Sequence, residues 1–271
     1  MPAPTAADAR RPRVIAVSNQ KGGEGKTTTA VNLAASLAAA EQRVLLIDLD
    51  PQGNASSSVG FPRGSVDQGT YEVLMGSATI ADVSQPCELA TLRVVPATPH
   101  LAGAEVELVP IAERESALAR ALRPIVEGSE FDFVLLDCPP SLGLLTVNAF
   151  VASDSVLIPM QARYFSLEGL GALKGTIDSV RAALNAELSI EGIVFCMFDP
   201  RTNLAQQVVA EVREHFADLV YDTVIPINIR LSESPSFGKP ALLYDIESKG
   251  AQAYLALARE VLARIEGGAA A

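Results

Sequence analysis

Short, uninterrupted apolar runs alternate with amphipathic stretches along almost the whole chain. Val14-Ile15-Ala16-Val17, Arg43 to Asp48, Phe131 to Leu136, Ser155 to Pro159 and Gly192 to Phe198 read as strands buried on both faces, the pattern of a parallel sheet. Between them, apolar residues recur at helical spacing. Ala30, Val31, Leu33, Ala34, Leu37 and Ala38 form one such set, and Leu118, Leu122 and Ile125 mark a second within Glu113 to Val126. Leu167, Leu170, Leu173, Ile177, Val180 and Leu184 form a third. Further helices are predicted from about Ala205 to Phe216 and over a closing stretch where Tyr254, Leu257, Val261, Leu262 and Ile265 share a side. Weaker patterns predict strands at Thr91 to Val95 and Thr223 to Ile225, a helical turn from Tyr71 to Met75, and an extended loop from Pro226 to Lys239. The alternation predicts an α/β fold: a single doubly wound, mostly parallel sheet with helices on both faces. Neither an internal repeat nor a linker divides the chain. One domain is expected over residues 13–266, between flexible tails at 1–12 and 267–271.

Polar clusters fall after the predicted strands: Asn19 to Thr28, Asp48 to Ser56, Asp137 to Ser141, Gln161 to Tyr164, Asp199 to Asn203 and Pro226 to Arg230. In a doubly wound sheet the carboxyl ends of the strands share one edge, and ligands bind there. These loops are therefore expected to converge on one face.

The first cluster carries the strongest chemical signal, Lys21-Gly22-Gly23-Glu24-Gly25-Lys26-Thr27-Thr28 between an apolar run and a helical pattern. Glycines let successive backbone N–H groups turn toward one anion, and the N-terminus of the following helix adds its dipole. Lys26 is suited to the β- and γ-phosphates of a nucleotide and the Thr27 hydroxyl to Mg²⁺. A glycine-rich linker is the bland alternative, but strand, lysine, hydroxyls and helix are all in place, so ATP is the expected ligand. Asp137 ends an apolar strand, where a carboxylate suits Mg²⁺ through a water; capping a turn is the plainer role for such an Asp. Asp48 and Asp50 are two apart and point the same way if the strand continues.

Composition narrows the partners. With 32 acidic against 21 basic residues the net charge is −11, which argues against a generally basic nucleic-acid binder, so any DNA contact must be a local patch. Cys87, Cys138 and Cys196 are too widely spaced for a disulfide framework or a zinc knuckle, and suggest a reduced, cytoplasmic chain. No apolar run approaches the ~20 residues that span a bilayer. Arg10-Arg11 lacks the long apolar core that a twin-arginine signal needs.

The loop departs from the common phosphate-binding pattern: Gln20 stands at the usual first glycine and a second lysine, Lys21, follows it. This "deviant" P-loop resembles that of the ParA/MinD/nitrogenase-iron-protein ATPases. The resemblance extends from Arg13 to about Ile265 through Asp48-Leu49-Asp50-Pro51-Gln52-Gly53-Asn54, Asp137-Cys138-Pro139-Pro140-Ser141, the stretch Arg201 to Val208 and the stretch Ile225 to Pro240. The last two stretches are similar to chromosomal ParA (Soj) proteins in particular. The resemblance implies that Lys21 reaches across a nucleotide-sandwich homodimer to the partner's phosphates. It further implies that Asp50 positions or activates the attacking water, that Asp48 supports the magnesium shell, and that Pro226 and Asn228 flank the adenine. Arg201 and Arg230 match arginines that contact DNA phosphates, and a ParB-type protein is the implied stimulating partner. A slow, Mg-dependent ATPase that binds DNA nonspecifically at the nucleoid is the implied activity. No helix-turn-helix precedes the loop, so operator binding is not expected.

Two departures stand out. Glu24 replaces the family's usual Val, and its carboxylate is expected to weaken nucleotide binding or closure. Ile227 stands where a basic residue is common, which thins the DNA patch. Read from composition alone, Arg201, Arg230, Lys239 and Lys249 are a scatter of solvated charges. Three other readings compete: a MinD-like ATPase on a lipid surface, a redox protein sharing a cluster through cysteines, and a switch that positions a protein cluster instead of a chromosome locus.

Overall fold

The computed structural model describes residues 11–268. Of the expected tails, residues 1–10 and 269–271 lie outside the described residues. Strand β1 (Arg13–Val17) leads into helix α1 (Lys26–Ala39) and strand β2 (Val44–Asp48). Three short helices, α2 (Asn54–Ser57), α3 (Thr70–Met75) and α4 (Ile80–Val83), precede β3 (Gln85–Pro86) and β4 (Leu92–Val95). Helices α5 (Leu101–Glu107) and α6 (Ala117–Gly128) lead to β5 (Phe133–Asp137) and α7 (Leu144–Ala152). Next come β6 (Ser155–Gln161), α8 (Tyr164–Ala183), β7 (Ser189–Cys196) and α9 (Asn203–Phe216). Short helices α10 (Ile229–Glu233) and α11 (Ala241–Tyr244) precede the closing α12 (Lys249–Gly268).

The strands form one sheet in the order β3-β4-β2-β5-β1-β6-β7, parallel throughout except for the β3–β4 pair. This is the expected doubly wound fold. Successive strand residues point to opposite faces, and both faces are covered. Ile15, Val17, Leu46 and Leu135 pack beneath α1 and α12. Val14, Ala16, Ile47 and Leu136 pack with residues of α6, α7, α8 and α9 on the other side. Strand β1 lies between β5 and β6, and β5 is the central strand. The helices after β1 and β5 leave toward opposite faces, which opens a crevice at the carboxyl edge between them.

Two sequence expectations change, and one helix has no counterpart among them. Helix α7 is apolar on nearly every side (Leu144, Leu145, Val147, Ala149, Phe150, Val151), so it offers no period to read. The stretch from Pro226 to Lys239 is not extended: it holds α10 and a 3₁₀ turn at Ser234–Phe237. Thr223 to Ile225 is not a strand. Tyr221 and Ile225 donate to carbonyls of β7, at Ile193 (2.9 Å) and Phe195 (2.8 Å). Between those two points the N–H groups of Asp222 and Thr223 turn to the Glu260 carboxylate instead, at 2.8 and 2.9 Å.

Glu260 therefore replaces a stretch of β ladder, and Arg264, lying over the Tyr221 ring at 4.0 Å, braces it from the next turn of α12. Glu260→Ala hands two backbone donors, one exposed and one part-buried, to water and is expected to cost about 1 kcal/mol, a fall in Tm of roughly 2–4 °C. Thermal melts of the variant beside the parent protein check this.

Candidate active site

The loop between β1 and α1 carries Gly23 and Gly25 in the left-handed region, at φ of 77° and 93°. Gly25 is also pressed from below: a Cβ there would meet the Cys196 Cβ at 3.2 Å. Cys196 belongs to a buried set beneath the loop, in which the Thr29 hydroxyl lies 3.1 Å from the Tyr254 hydroxyl and 3.6 Å from the Cys196 Sγ. No side chain caps the start of α1 and no acidic residue occupies its first turn. Its leading N–H groups and its dipole are thus left to an anion from outside the helix.

Lys26 is buried and curls back so that Nζ donates to the Lys21 carbonyl at 3.0 Å. Burial lowers its pKa, and the charges of Asp137, Cys138, Asp50 and Glu24 oppose the fall. Lys21 extends outward, with Nζ 3.3 Å from the Glu24 carboxylate. Gly22, Gly23, Gly25, Lys26, Thr27, Thr28 and Asp50 line one cleft, together with Gln52 and Pro140.

Asp48 and Asp137 are register partners at the ends of β2 and β5, and both are fully buried. Their surroundings differ. Asp48 accepts from the N–H (2.8 Å) and hydroxyl (2.6 Å) of Ser56 and from the Asp50 N–H (3.1 Å). It thereby ties down the loop that carries Asp50, whose own carboxylate accepts from the Gln52 N–H at 2.9 Å. Burial raises the Asp48 pKa to about 6 against these hydrogen bonds. Neither oxygen of Asp137 meets a donor in good geometry. Burial holds its pKa well above the carboxylate range, and the neighbouring charge of Asp48 adds to the rise. A buried carboxylate with both oxygens unpartnered, near the Thr27 hydroxyl, is a donor set that fits a hard divalent cation such as Mg²⁺.

A separate cavity of about 420 Å³ opens beside the loop, with Gly25 and Thr28 on one wall and Pro226, Ile227 and Asn228 on another. The Asn228 oxygen caps α10 through the Arg230 N–H at 3.0 Å, which fixes the side chain and leaves its NH₂ group as donor. The cavity is apolar with few polar groups, a composition suited to a purine base.

The expected DNA residues sit outside both cavities and are ion-paired within the chain. Arg201 forms a two-pronged pair with Asp199 at 2.8 and 2.9 Å, and Asp199 is pulled down to about 2 by that contact. Arg230 bonds Glu233 at 2.8 Å and Asp245 at 3.0 Å. Ile227 and Ile229 are exposed, at 66% and 68%. Cys138, the residue on which a shared cluster would rest, is fully buried in the core.

Sequence reasoning did not single out Ser56, which anchors Asp48, or Gln161, whose Nε2 donates to the Gly23 carbonyl at 2.6 Å. Both lie in polar clusters at strand ends, and that position was the available clue. The set of Thr29, Cys196 and Tyr254 leaves no pattern in the sequence, because its members come from three distant elements.

This strand, anion-receiving loop, open helix start and pair of buried strand-end carboxylates define a P-loop nucleotide-binding protein. Residues 12–190 match a family model described as AAA domain. The chain is 56% identical to the chromosome partitioning protein ParA of Myxococcus xanthus over 252 residues, 93% of this chain and 88% of that one. It is 53% identical to the sporulation initiation inhibitor protein Soj of Bacillus subtilis, covering 93% and 98% of the two chains. Among solved structures, cobyrinic acid a,c-diamide synthase from Mycobacterium smegmatis with bound ADP and magnesium superposes with a TM-score of 0.80 at 34% identity, over 95% of this chain and 96% of that one. The chain belongs to the ParA/Soj chromosome-partitioning ATPase family, of the ParA/MinD type.

Asp48 and Asp137 both have folded pKa values above the unfolded value of about 4, so the folded state holds their protons more tightly. Their contribution favours folding fully below about pH 4 and is lost as pH rises through about 6 and beyond. Nucleotide-free Asp137→Asn is therefore expected to melt about 3–6 °C above the parent near pH 8, with the gap closing toward pH 5. Thermal melts across that range, without nucleotide or Mg²⁺, test it. A gap that widens toward low pH would contradict the assignment.

Proposed function

We propose that the protein is an ATP-gated switch: ATP closes two copies face to face, the closed dimer holds DNA without sequence preference, and hydrolysis releases it. The observation that carries the nucleotide chemistry is the unpartnered Asp137 carboxylate at the foot of an uncapped helix, beside Lys26 and Thr27. Backbone N–H groups of Gly22 to Thr28 receive the phosphates, and Lys26 neutralises charge on the transferred group. Thr27 and Asp137, with Asp48 behind them, would hold Mg²⁺, which when bound offsets charge on the β- and γ-phosphates. Asp50, anchored through Asp48 and Ser56, positions the attacking water. Lys21 of the second copy adds the last cation. Pro226 and Asn228 enclose the adenine. With no arginine finger evident among the described residues, hydrolysis is slow until a ParB-type partner stimulates it.

Arg201 and Arg230 are the residues for DNA phosphate. Each already holds a carboxylate, so DNA must displace Asp199 from one and Glu233 and Asp245 from the other. Such an exchange of like contacts makes binding weak, salt-sensitive and dependent on two copies acting together. The site of action is then the nucleoid, in the cytoplasm. The lipid-surface alternative finds less support, because α12 buries Tyr254, Leu257 and Val261 and carries mixed charge at Arg259, Glu260, Arg264 and Glu266. No helix among the described residues is long and apolar enough to cross a membrane. The exposed Ile227 and Ile229 favour a second reading, in which the same switch grips a protein cargo.

The deciding experiment measures binding to a nonspecific duplex with no nucleotide, ADP or ATP, at low and moderate salt. Binding is expected only with ATP, falling steeply with salt, and Arg230→Ala should lower the salt slope by about one unit per arginine lost. ATP-driven dimerisation with no DNA held at any salt would defeat the DNA assignment and move the search to protein cargo or lipid. Asp50→Ala should keep ATP binding and dimerisation while hydrolysis drops by about 10²-fold or more, read by phosphate release.

A further inference from the structure

Position 24 needs only a backbone N–H to serve a phosphate, yet its side chain occupies a built environment. The Glu24 carboxylate is 1% exposed. It accepts from the Gln161 N–H at 2.5 Å and from the Ser166 hydroxyl at 3.3 and 3.4 Å, and its remaining neighbour is the Lys21 ammonium at 3.3 Å. The Gln161 side chain closes the same junction by donating to the Gly23 carbonyl. The loop is thereby fastened to the end of β6 and the start of α8, with the carboxylate pointed at Lys21. Lys21 itself is 42% exposed, and Glu24 is the one carboxylate with which it forms an ion pair among the described residues.

We infer that Glu24 is a positioning residue that holds Lys21 within its own subunit, so that ATP-driven closure must first break this ion pair. The inference rests on the reading above, in which Lys21 acts on the partner's phosphates. A lysine ammonium bound to a carboxylate at its own loop is not available to a phosphate across a seam. The carboxylate is held on its far side by Gln161 and Ser166, so it does not swing away with the lysine. Closure exchanges one anion for another around Lys21 and leaves Glu24 buried with its hydrogen bonds but without its cation. Burying an anion deprived of its partner opposes the closed state. The result is a higher ATP threshold for dimerisation and a shorter-lived closed dimer than an apolar residue at this position would give.

The test uses the full chain with Glu24→Gln, which keeps the size and the acceptor for the Gln161 N–H but removes the charge. Glu24→Val is the second variant, in case the first packs poorly. The first arm labels amines competitively in nucleotide-free protein and reads Lys21 by mass spectrometry; Glu24→Gln is expected to raise its reactivity about threefold to fivefold. The second arm titrates dimerisation with a non-hydrolysable ATP analogue by sedimentation. Both variants should lower the midpoint by about the same factor, and neither should change it in a Lys21→Ala background. Unchanged labelling overturns the clamp and leaves the role of Lys21 across the seam standing. A shift of equal size with and without Lys21 also overturns it, since Glu24 would then act on the loop or the phosphates directly. If Lys21→Ala alone leaves the midpoint where it was, the reading of Lys21 as a group acting in the partner has failed, and the inference falls with it.

Discussion

Two carboxylates at neighbouring register positions, Asp48 and Asp137, impose the central constraint on this molecule. Parallel strands lie about 5 Å apart, and at an effective dielectric near 20 two unit charges at that distance repel by on the order of 3 kcal/mol. That is a sizeable part of the net stability of a whole domain. The sheet bears it because its remaining residues are apolar on both faces and closely covered, and because Asp48 is compensated by three donors. Asp137 has only the nearby Thr27 hydroxyl and Lys26 ammonium to offset its burial, and neither of its oxygens meets a donor in good geometry. The strain of its burial is what a cation at this edge relieves, so binding and folding draw on the same pair of groups.

The same pair links the chemistry to the moving parts. Through Ser56 and the Asp50 N–H, Asp48 fixes the loop that carries Asp50, so the placement of one carboxylate depends on the burial of another. The phosphate loop is braced in a comparable way from beneath, by Thr29, Cys196 and Tyr254, and from the side, by Gln161 and Glu24. Gly25 is confined by its left-handed backbone and by Cys196 at once, which explains why a side chain has no room there. The site is held by contacts of unequal strength. The network under the loop is buried throughout, whereas the ion pair at its rim has a part-exposed lysine.

Charge exchange is a theme of the outer surface too. Lys21, Arg201 and Arg230, the cations proposed above for phosphates, are each paired with a carboxylate of their own chain. In a chain with a net charge of −11, such pairing suppresses attraction to nucleic acid until several contacts form together.

Apolar runs ending in polar clusters were enough to read the doubly wound sheet and its ligand edge, because strand burial and strand-end chemistry are both local in the chain. Lys26, Thr27 and Asp137 could be named as candidates for the same reason, each sitting at a fixed offset from a strand end or a glycine, whereas Lys21 and Asp50 were named through the family resemblance. Helix α7 was not legible, since a segment apolar on nearly every side shows no period, and the segment at 222–223 was not, since a distant Glu260 takes its N–H groups. Only the tertiary structure decided that Asp48 would be satisfied and Asp137 left unpartnered, although the two look alike in sequence. It also decided that Glu24 would face Lys21, Gln161 and Ser166, and that each arginine would already hold an acid. Pairings of that kind join residues from separate elements, and no spacing along the chain encodes the distance between them.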